Sequence, residues 1–299
     1  MRSSLTIVAL FTLISPLSAA EFELKDGDKV VWLGSTLIER EQRYGYWETA
    51  LTARWPERKI TFRNLGWSGD NVFGEARLAF DINNPALGLK RMVDLTLAEK
   101  PTVIFICYGT NESFEGEAGL EKFTKGYEKL LDELKPTKAR IMLMTPIPFM
   151  KSPPFLTDAK EHNRRLALYV STIEKLALQN KLPTVDLFRV LLEGDNSSPL
   201  STDNGVHLTA EGYRESAALL CSLLRGPSGP LATIEFDDPL RQAIIAKNQL
   251  YFYRWRPQNE TYLFGFRKKE QGNNAKEIAE FDPLIAKAEA EIERLKKKK

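Results

Sequence analysis

Two adjacent hydroxyls, Ser35 and Thr36, follow an uninterrupted apolar run at residues 30–33 (VVWL) and a glycine, Gly34. A run without alternation suits a parallel strand covered on both faces, and the glycine ends it where a backbone can turn sharply. The hydroxyls then stand at the C-terminal edge of a sheet, where open α/β folds collect ligands and chemistry. A hydroxyl within reach of a histidine is the unit of nucleophilic acyl transfer: the ring takes the proton during attack and returns it to the leaving group. The chain holds only two histidines, His162 and His207, so any histidine base is one of these. The plainer reading of the turn taken alone is a strand-to-helix connection whose Ser or Thr caps the next helix. No Cys/His cluster has the spacing of a metal site, and hydroxyl chemistry of this kind asks for no cofactor.

Groups like these need a frame that brings several turns to one edge. Residues 44–55 read as an amphipathic helix with Trp47, Ala50, Leu51 and Trp55 on one face, closed by Pro56. Residues 60–65 are a second strand, delivering the turn Gly66-Trp67-Ser68-Gly69-Asp70. A helix over 86–98 leads to a third strand at 102–108, which ends in Gly109-Thr110-Asn111-Glu112. Apolar residues at helical spacing predict a helix over 119–134. A fourth strand at 140–145, a helix over 158–179 and a fifth strand at 183–187 follow, and a loop carries residues 201–207 (STDNGVH) into a helix over 209–223 with Thr209 as its cap. Five apolar strands alternating with helices specify an α/β fold with a doubly wound, five-stranded parallel sheet and helices on both faces.

The ends of the chain differ in character. Residues 1–20 follow the secretory pattern: Arg2, an apolar core too short to span a membrane, then Ser18-Ala19-Ala20 before Glu21. The protein is therefore expected to be exported, with no integral membrane segment once the leader is removed. Residues 21–225 form the main domain, and 226–299 a Pro/Gly linker at 226–230 followed by a helical C-terminal extension. With Lys+Arg 42 against Asp+Glu 40, the charge is balanced and not gathered into stripes, so nucleic acid is not indicated as a partner. Cys107 and Cys221 read as buried free thiols.

Four segments line up in order: Gly34-Ser35-Thr36, residues 66–69, residues 109–111 and residues 204–207. Their order and contexts resemble the SGNH (GDSL-like) hydrolase superfamily, esterases on a flavodoxin-like three-layer sandwich, over about residues 29–224. The family's blocks supply, in turn, a serine nucleophile, a Gly amide, an Asn amide donor and an Asp-x-x-His pair. The resemblance implies that Gly69 (NLGWSGD) and Asn111 (YGTNE) are oxyanion donors and that His207 (DNGVHLTAEGY) is the general base. A closer resemblance, to exported proteins of planctomycete-type bacteria, is carried by the GxTxIER turn, the FRNLGWSGDxVFGEAR run and the RWRPxN segment.

The departures are as informative as the matches. Laid without gaps on Gly-Asp-Ser, the first block puts Thr36 where the serine belongs, with Ser35 one place earlier; the residue three before the histidine is Asn204, with Asp203 one place earlier. Three readings follow. Thr36 attacks and Asn204 orients His207; or the turn is re-registered so that Ser35 attacks and Asp203 supports the histidine; or the oxyanion donors persist in a site that only binds. The leading expectation is an exported carbohydrate deacetylase or short-chain esterase acting on a small-molecule or glycan ester. The alternative is a catalytically inactive carbohydrate- or ligand-binding protein.

Other residues have plain readings. His162, in a helical context, is expected to be exposed; Glu39 and Arg40 are expected to form a surface pair unless Arg40 points into the pocket. Trp67 and Phe73 either stack on a sugar or pack in the core. Arg254, Trp255, Arg256 and Asn259 are read as a structural brace in preference to a lid.

Overall fold

The computed structural model describes residues 22–78, 82–151, 158–193, 200–224 and 238–297. The leader-like residues 1–20 and the linker at 226–230 lie outside the described residues. Five parallel strands, β1 (Lys29–Gly34), β2 (Thr61–Asn64), β3 (Val103–Cys107), β4 (Arg140–Met144) and β5 (Thr184–Val185), pair in the order β2-β1-β3-β4-β5. That order places the switch point between β1 and β3, the two strands that carry the first and third turns.

Because every strand is covered on both sides, successive residues feed two cores. Val30, Trp32, Phe105 and Met142 pack on one face, with Trp47 and Leu220. Val31, Leu33, Ile104, Ile106 and Leu143 pack on the other, with Met92, Tyr127 and Ile173. The helices supplying those faces are α1 (Thr36–Tyr44), α2 (Tyr46–Arg54), α3 (Ala86–Ala98), α4 (Leu120–Leu134), α5 (Ala159–Asn180), α6 (Leu187–Glu193) and α7 (Ala210–Leu223). Thr209 caps α7 through its hydroxyl, which accepts from the Gly212 N–H at 3.2 Å. No described helix is long and apolar enough to cross a membrane.

One helix differs from the expectation of a single element over 44–55. The chain is already helical from Thr36, and Gly45 splits α1 from α2 with a φ of +65°, a left-handed conformation that ends one helix and starts the next. The apolar pattern hides α1 because two of its buried residues are glutamates, Glu39 and Glu41. Glu41 is buried to cap its successor: its Oε1 accepts from the Trp47 N–H at 2.7 Å and the Glu48 N–H at 3.3 Å. Burial pushes the Glu41 carboxyl well above its ordinary range.

Of the C-terminal helices α8 (Pro239–Trp255), α9 (Glu260–Leu263), α10 (Lys268–Gln271) and α11 (Phe281–Lys296), α8 packs on the edge strand β2 and α11 packs on α8. An uncovered edge strand presents unpaired backbone groups, and here Lys247 donates to the Phe62 carbonyl of β2 at 3.1 Å. The same ammonium is buried against Glu48 of α2 at 2.7 Å, and Arg63 of β2 pairs with Glu289 of α11 at 2.5 Å. A cavity of about 410 Å³ lies between this edge and the extension, lined by Arg63, Tyr251 and Trp255, away from the hydroxyls at the end of β1. Both cysteines are free and buried; burial holds the Cys107 thiol up at about 12 and Cys221 at about 11, so both stay protonated.

Candidate active site

Strand β1 ends in register with β3, Gly34 opposite Cys107, which sets Ser35 beside the turn that follows β3. Ser35 occupies the N-cap position of α1, its carbonyl accepting from the Ile38 and Glu39 N–H groups at 3.1 and 3.0 Å. Its hydroxyl makes no capping bond, however; it accepts from Asn111 Nδ2 at 3.1 Å. Thr36, the first helical residue, accepts from the Gly69 N–H at 3.1 Å. The capping reading of this turn thus holds for the backbone and fails for the side chains. Ser35 is 8% exposed whereas Thr36 is half-buried, so Thr36 is the more accessible of the two residues. At the start of α1 the helix dipole favours negative charge developing on that oxygen.

Gly69 adopts a φ of +74°, with open space where a Cβ would stand, so the glycine is required by conformation and not by crowding. Its loop is tied from several sides. The Trp67 N–H donates to the Gly34 carbonyl at 3.0 Å. Glu39 of α1 accepts from the Ser68 N–H at 2.7 Å, the Ser68 hydroxyl at 3.0 Å and Arg256 Nη1 at 2.8 Å. The expected Glu39–Arg40 surface pair is therefore absent: Glu39 is buried, and Arg40 turns to another partner. Trp67 is no sugar platform either, because the Arg256 guanidinium lies 3.5 Å from its ring centroid, Arg77 approaches to 5.3 Å and Trp255 packs edge-on at 5.8 Å. Arg254 pairs with Asp282 of α11 at 2.8 Å and Asn259 bonds Gln271 at 3.0 Å within the extension, while Arg256 and Trp255 of the RWRPxN segment brace the Gly69 loop through Glu39 and Trp67.

Asn111 divides its amide hydrogens between Ser35 Oγ and the Asp70 carbonyl, the latter at 2.5 Å. Its neighbour Glu112 fastens the third turn to the second. One carboxylate oxygen accepts from the Val72 N–H at 2.8 Å and the other from the Gly109 N–H at 2.9 Å. Burial is the largest influence on this carboxyl and pushes it up to about 7 from an ordinary 4.5. A raised carboxyl binds its proton more tightly folded than unfolded, so its contribution is complete below about pH 4.5 and is lost as pH rises through 7. Relative to wild type, Glu112→Gln is expected to become more stable by on the order of 3 kcal/mol between pH 5 and pH 8, read from paired denaturant unfolding curves at each pH.

The last block is a tight loop closed by a bridge between Thr202 and Leu208, with the Asp203 N–H donating to the His207 carbonyl at 3.0 Å. Asn204 meets the ring: its Nδ2 lies 3.2 Å from His207 Nδ1. Asp203 does not; its carboxylate pairs with Arg40 Nη2 at 2.8 Å. Because Arg40 follows Thr36 by one helical turn, this ion pair ties the histidine loop to the helix that carries the hydroxyls. The geometry accordingly sets Asn204, and not Asp203, against the His207 ring. Burial first, then the nearby Arg40 guanidinium, lowers the His207 pKa below its ordinary value, with Asp203 opposing. Among the described residues, no hydrogen bond yet joins His207 to either hydroxyl.

His162 is not exposed but 2% accessible, between Phe114 and Phe149 with ring centroids at 4.3 Å each, and its Nε2 lies 3.0 Å from the Ser113 hydroxyl. It falls on the buried stripe of α5 with Ala159, Leu166 and Ile173, a spacing that was available in the sequence. Sequence reasoning set Glu39 at the surface and passed over what Glu112, Asp70 and Arg77 do; none of these four side chains touches the hydroxyls, and all hold the turns that do. The Asp70–Arg77 pair, seven apart across a loop, has no periodic signal to reveal it.

A parallel sheet in this order, with hydroxyls, two convergent donors and a histidine at one edge, defines the SGNH class of esterase fold. The chain belongs to the GDSL-like lipase/acylhydrolase family, whose model matches residues 27–215. Comparison with curated proteins gives no significant match. Among solved structures it is similar to a gut microbial diltiazem-metabolizing enzyme, at 13% identity and a TM-score of 0.59 over 93% of this chain and 97% of that one. It is also similar to Axe2, an acetylxylan esterase from Geobacillus stearothermophilus, at 20% identity and a TM-score of 0.52 over 69% and 98%. At these identities the likeness is one of fold.

Proposed function

We propose that this protein hydrolyses short acyl esters, acetyl groups on glycans or small alcohols in the first instance, with Thr36 as nucleophile. The observation that carries this reading is the convergence of two donors from different loops, the Gly69 N–H and the Asn111 amide, on the two hydroxyls at the start of one helix, each at 3.1 Å. Donors so placed favour a carbonyl oxygen that acquires charge next to an attacking hydroxyl. Thr36 Oγ1 adds to the carbonyl carbon, its proton passes to His207, and the ring returns it to the leaving alcohol; water repeats the sequence to free the acid. The leader-like residues 1–20 add export to this reading.

Turnover of acetylated xylo-oligosaccharides and of 4-nitrophenyl acetate tests it. Asn111→Ala is expected to lower kcat about 10²–10³-fold with the fold intact by circular dichroism. Equal turnover in wild type and variant would defeat the reading. A second reading, a protein that binds esters or glycans without cleaving them, is favoured by one contact: an asparagine in place of a carboxylate at the His207 ring.

A further inference from the structure

The orientation of the Asn204 amide is dictated by its own loop. Its Oδ1 accepts from the Val206 N–H at 3.1 Å and the His207 N–H at 2.9 Å. Turning the amide over would set an NH2 against two backbone donors, so the oxygen belongs there and the nitrogen faces the ring. An amide NH2 only donates. At 3.2 Å from Nδ2, His207 Nδ1 must therefore present its lone pair, and in a neutral ring the proton is then on Nε2.

We propose that Asn204 holds His207 in the Nε2–H tautomer, so that the resting site offers a hydrogen-bond donor where ester hydrolysis needs a base. The inference rests on the reading above, in which His207 serves Thr36. As Thr36 attacks, the Oγ1–C bond forms, the carbonyl π pair moves to the oxygen held by Gly69 and Asn111, and the Oγ1–H proton must enter a ring lone pair. Nε2 has none in this tautomer. Moving the ring proton to Nδ1 sets it against the Asn204 NH2, and so does the imidazolium formed by proton transfer, which carries hydrogen on both nitrogens. Asp203, the carboxylate nearest in sequence, is committed to Arg40. Asn204 is thus a positioning residue that restrains the base, and a ligand's acceptor oxygen is what the resting ring can bind.

An aspartate of the same shape would keep both backbone contacts on one oxygen and offer the other to Nδ1–H. In serine proteases the reverse change, aspartate to asparagine, costs about 10⁴ in kcat by imposing the wrong tautomer. Asn204→Asp is accordingly expected to raise 4-nitrophenyl acetate turnover at least about 10²-fold.

Nitrogen-15 NMR of the full chain, at a pH where both imidazoles are neutral and with His207→Gln to assign the resonances, reads the tautomer directly. The expected wild-type spectrum has a pyridine-like Nδ1 and a pyrrole-like Nε2 for His207, exchanged in Asn204→Asp. A protonated Nδ1 in the wild type overturns the proposal. Exchange of the two resonances without any gain in hydrolysis upholds the tautomer and counts against the hydrolase reading. Should Asn204→Asp fail to fold, the wild-type spectrum decides alone.

Discussion

Replacing Arg77 with methionine is expected to lower stability by about 3–5 kcal/mol, because it leaves a buried carboxylate without its cation. The Arg77 Nε donates to Asp70 Oδ2 at 2.7 Å, and both side chains are fully buried. Asp70 would keep neutral donors, among them the Tyr108 hydroxyl at 3.2 Å and the Ala76 N–H at 3.2 Å. Arg77 also donates to the Leu65 carbonyl at 2.9 Å, so its loss frees the strand end that launches the Gly69 turn. Since the Asp70 carbonyl is a partner of Asn111, the shift reaches both Gly69 and Asn111, the two donors proposed for the oxyanion, at once. Urea unfolding gives the stability change. The double variant Arg77→Met/Asp70→Asn should recover part of it, as no unpaired charge is then buried. A single variant as stable as wild type would show that the pair contributes nothing to holding the second turn.

Thr36→Ala is expected to abolish enzyme-specific ester turnover, leaving only what the oxyanion donors supply to direct attack by water. Thr36→Ser should go the other way, because the β-branch restricts the rotamers from which the hydroxyl can attack. A nucleophile and its base act as a unit, so the alanine change should be more damaging in the Asn204→Asp background than in the wild type. Initial rates of 4-nitrophenyl acetate hydrolysis across the four combinations measure this. If Thr36→Ala retains full turnover while Ser35→Ala loses it, the attacking group is Ser35.

The sheet was legible because its strands are buried on both faces, and runs such as residues 30–33 or 103–107 leave no other reading. Helix α1 was not, since Glu39 and Glu41 occupy inward positions where the apolar pattern looks for Leu or Val. The turns could be set on one edge from the alternation of parallel strands and helices alone. What the sequence could not resolve was which of two adjacent residues does a job. Ser35 and Thr36, or Asp203 and Asn204, differ by one position; for the second pair the choice depends on an ion pair to Arg40 and a bond to the ring that appear only when α1 and the residue 202–208 loop meet. The direction of the Asn204 amide lies further from the sequence still, because two backbone N–H groups set it.

Covalent labelling with a fluorophosphonate, followed by peptide mapping, bears most directly on Thr36 as nucleophile. Wild type and Asn204→Asp should both carry the adduct on Thr36, the variant acquiring it faster, and Thr36→Ala should carry none. An adduct on Ser35, or no adduct in either protein under conditions that fully label a serine esterase, would contradict it.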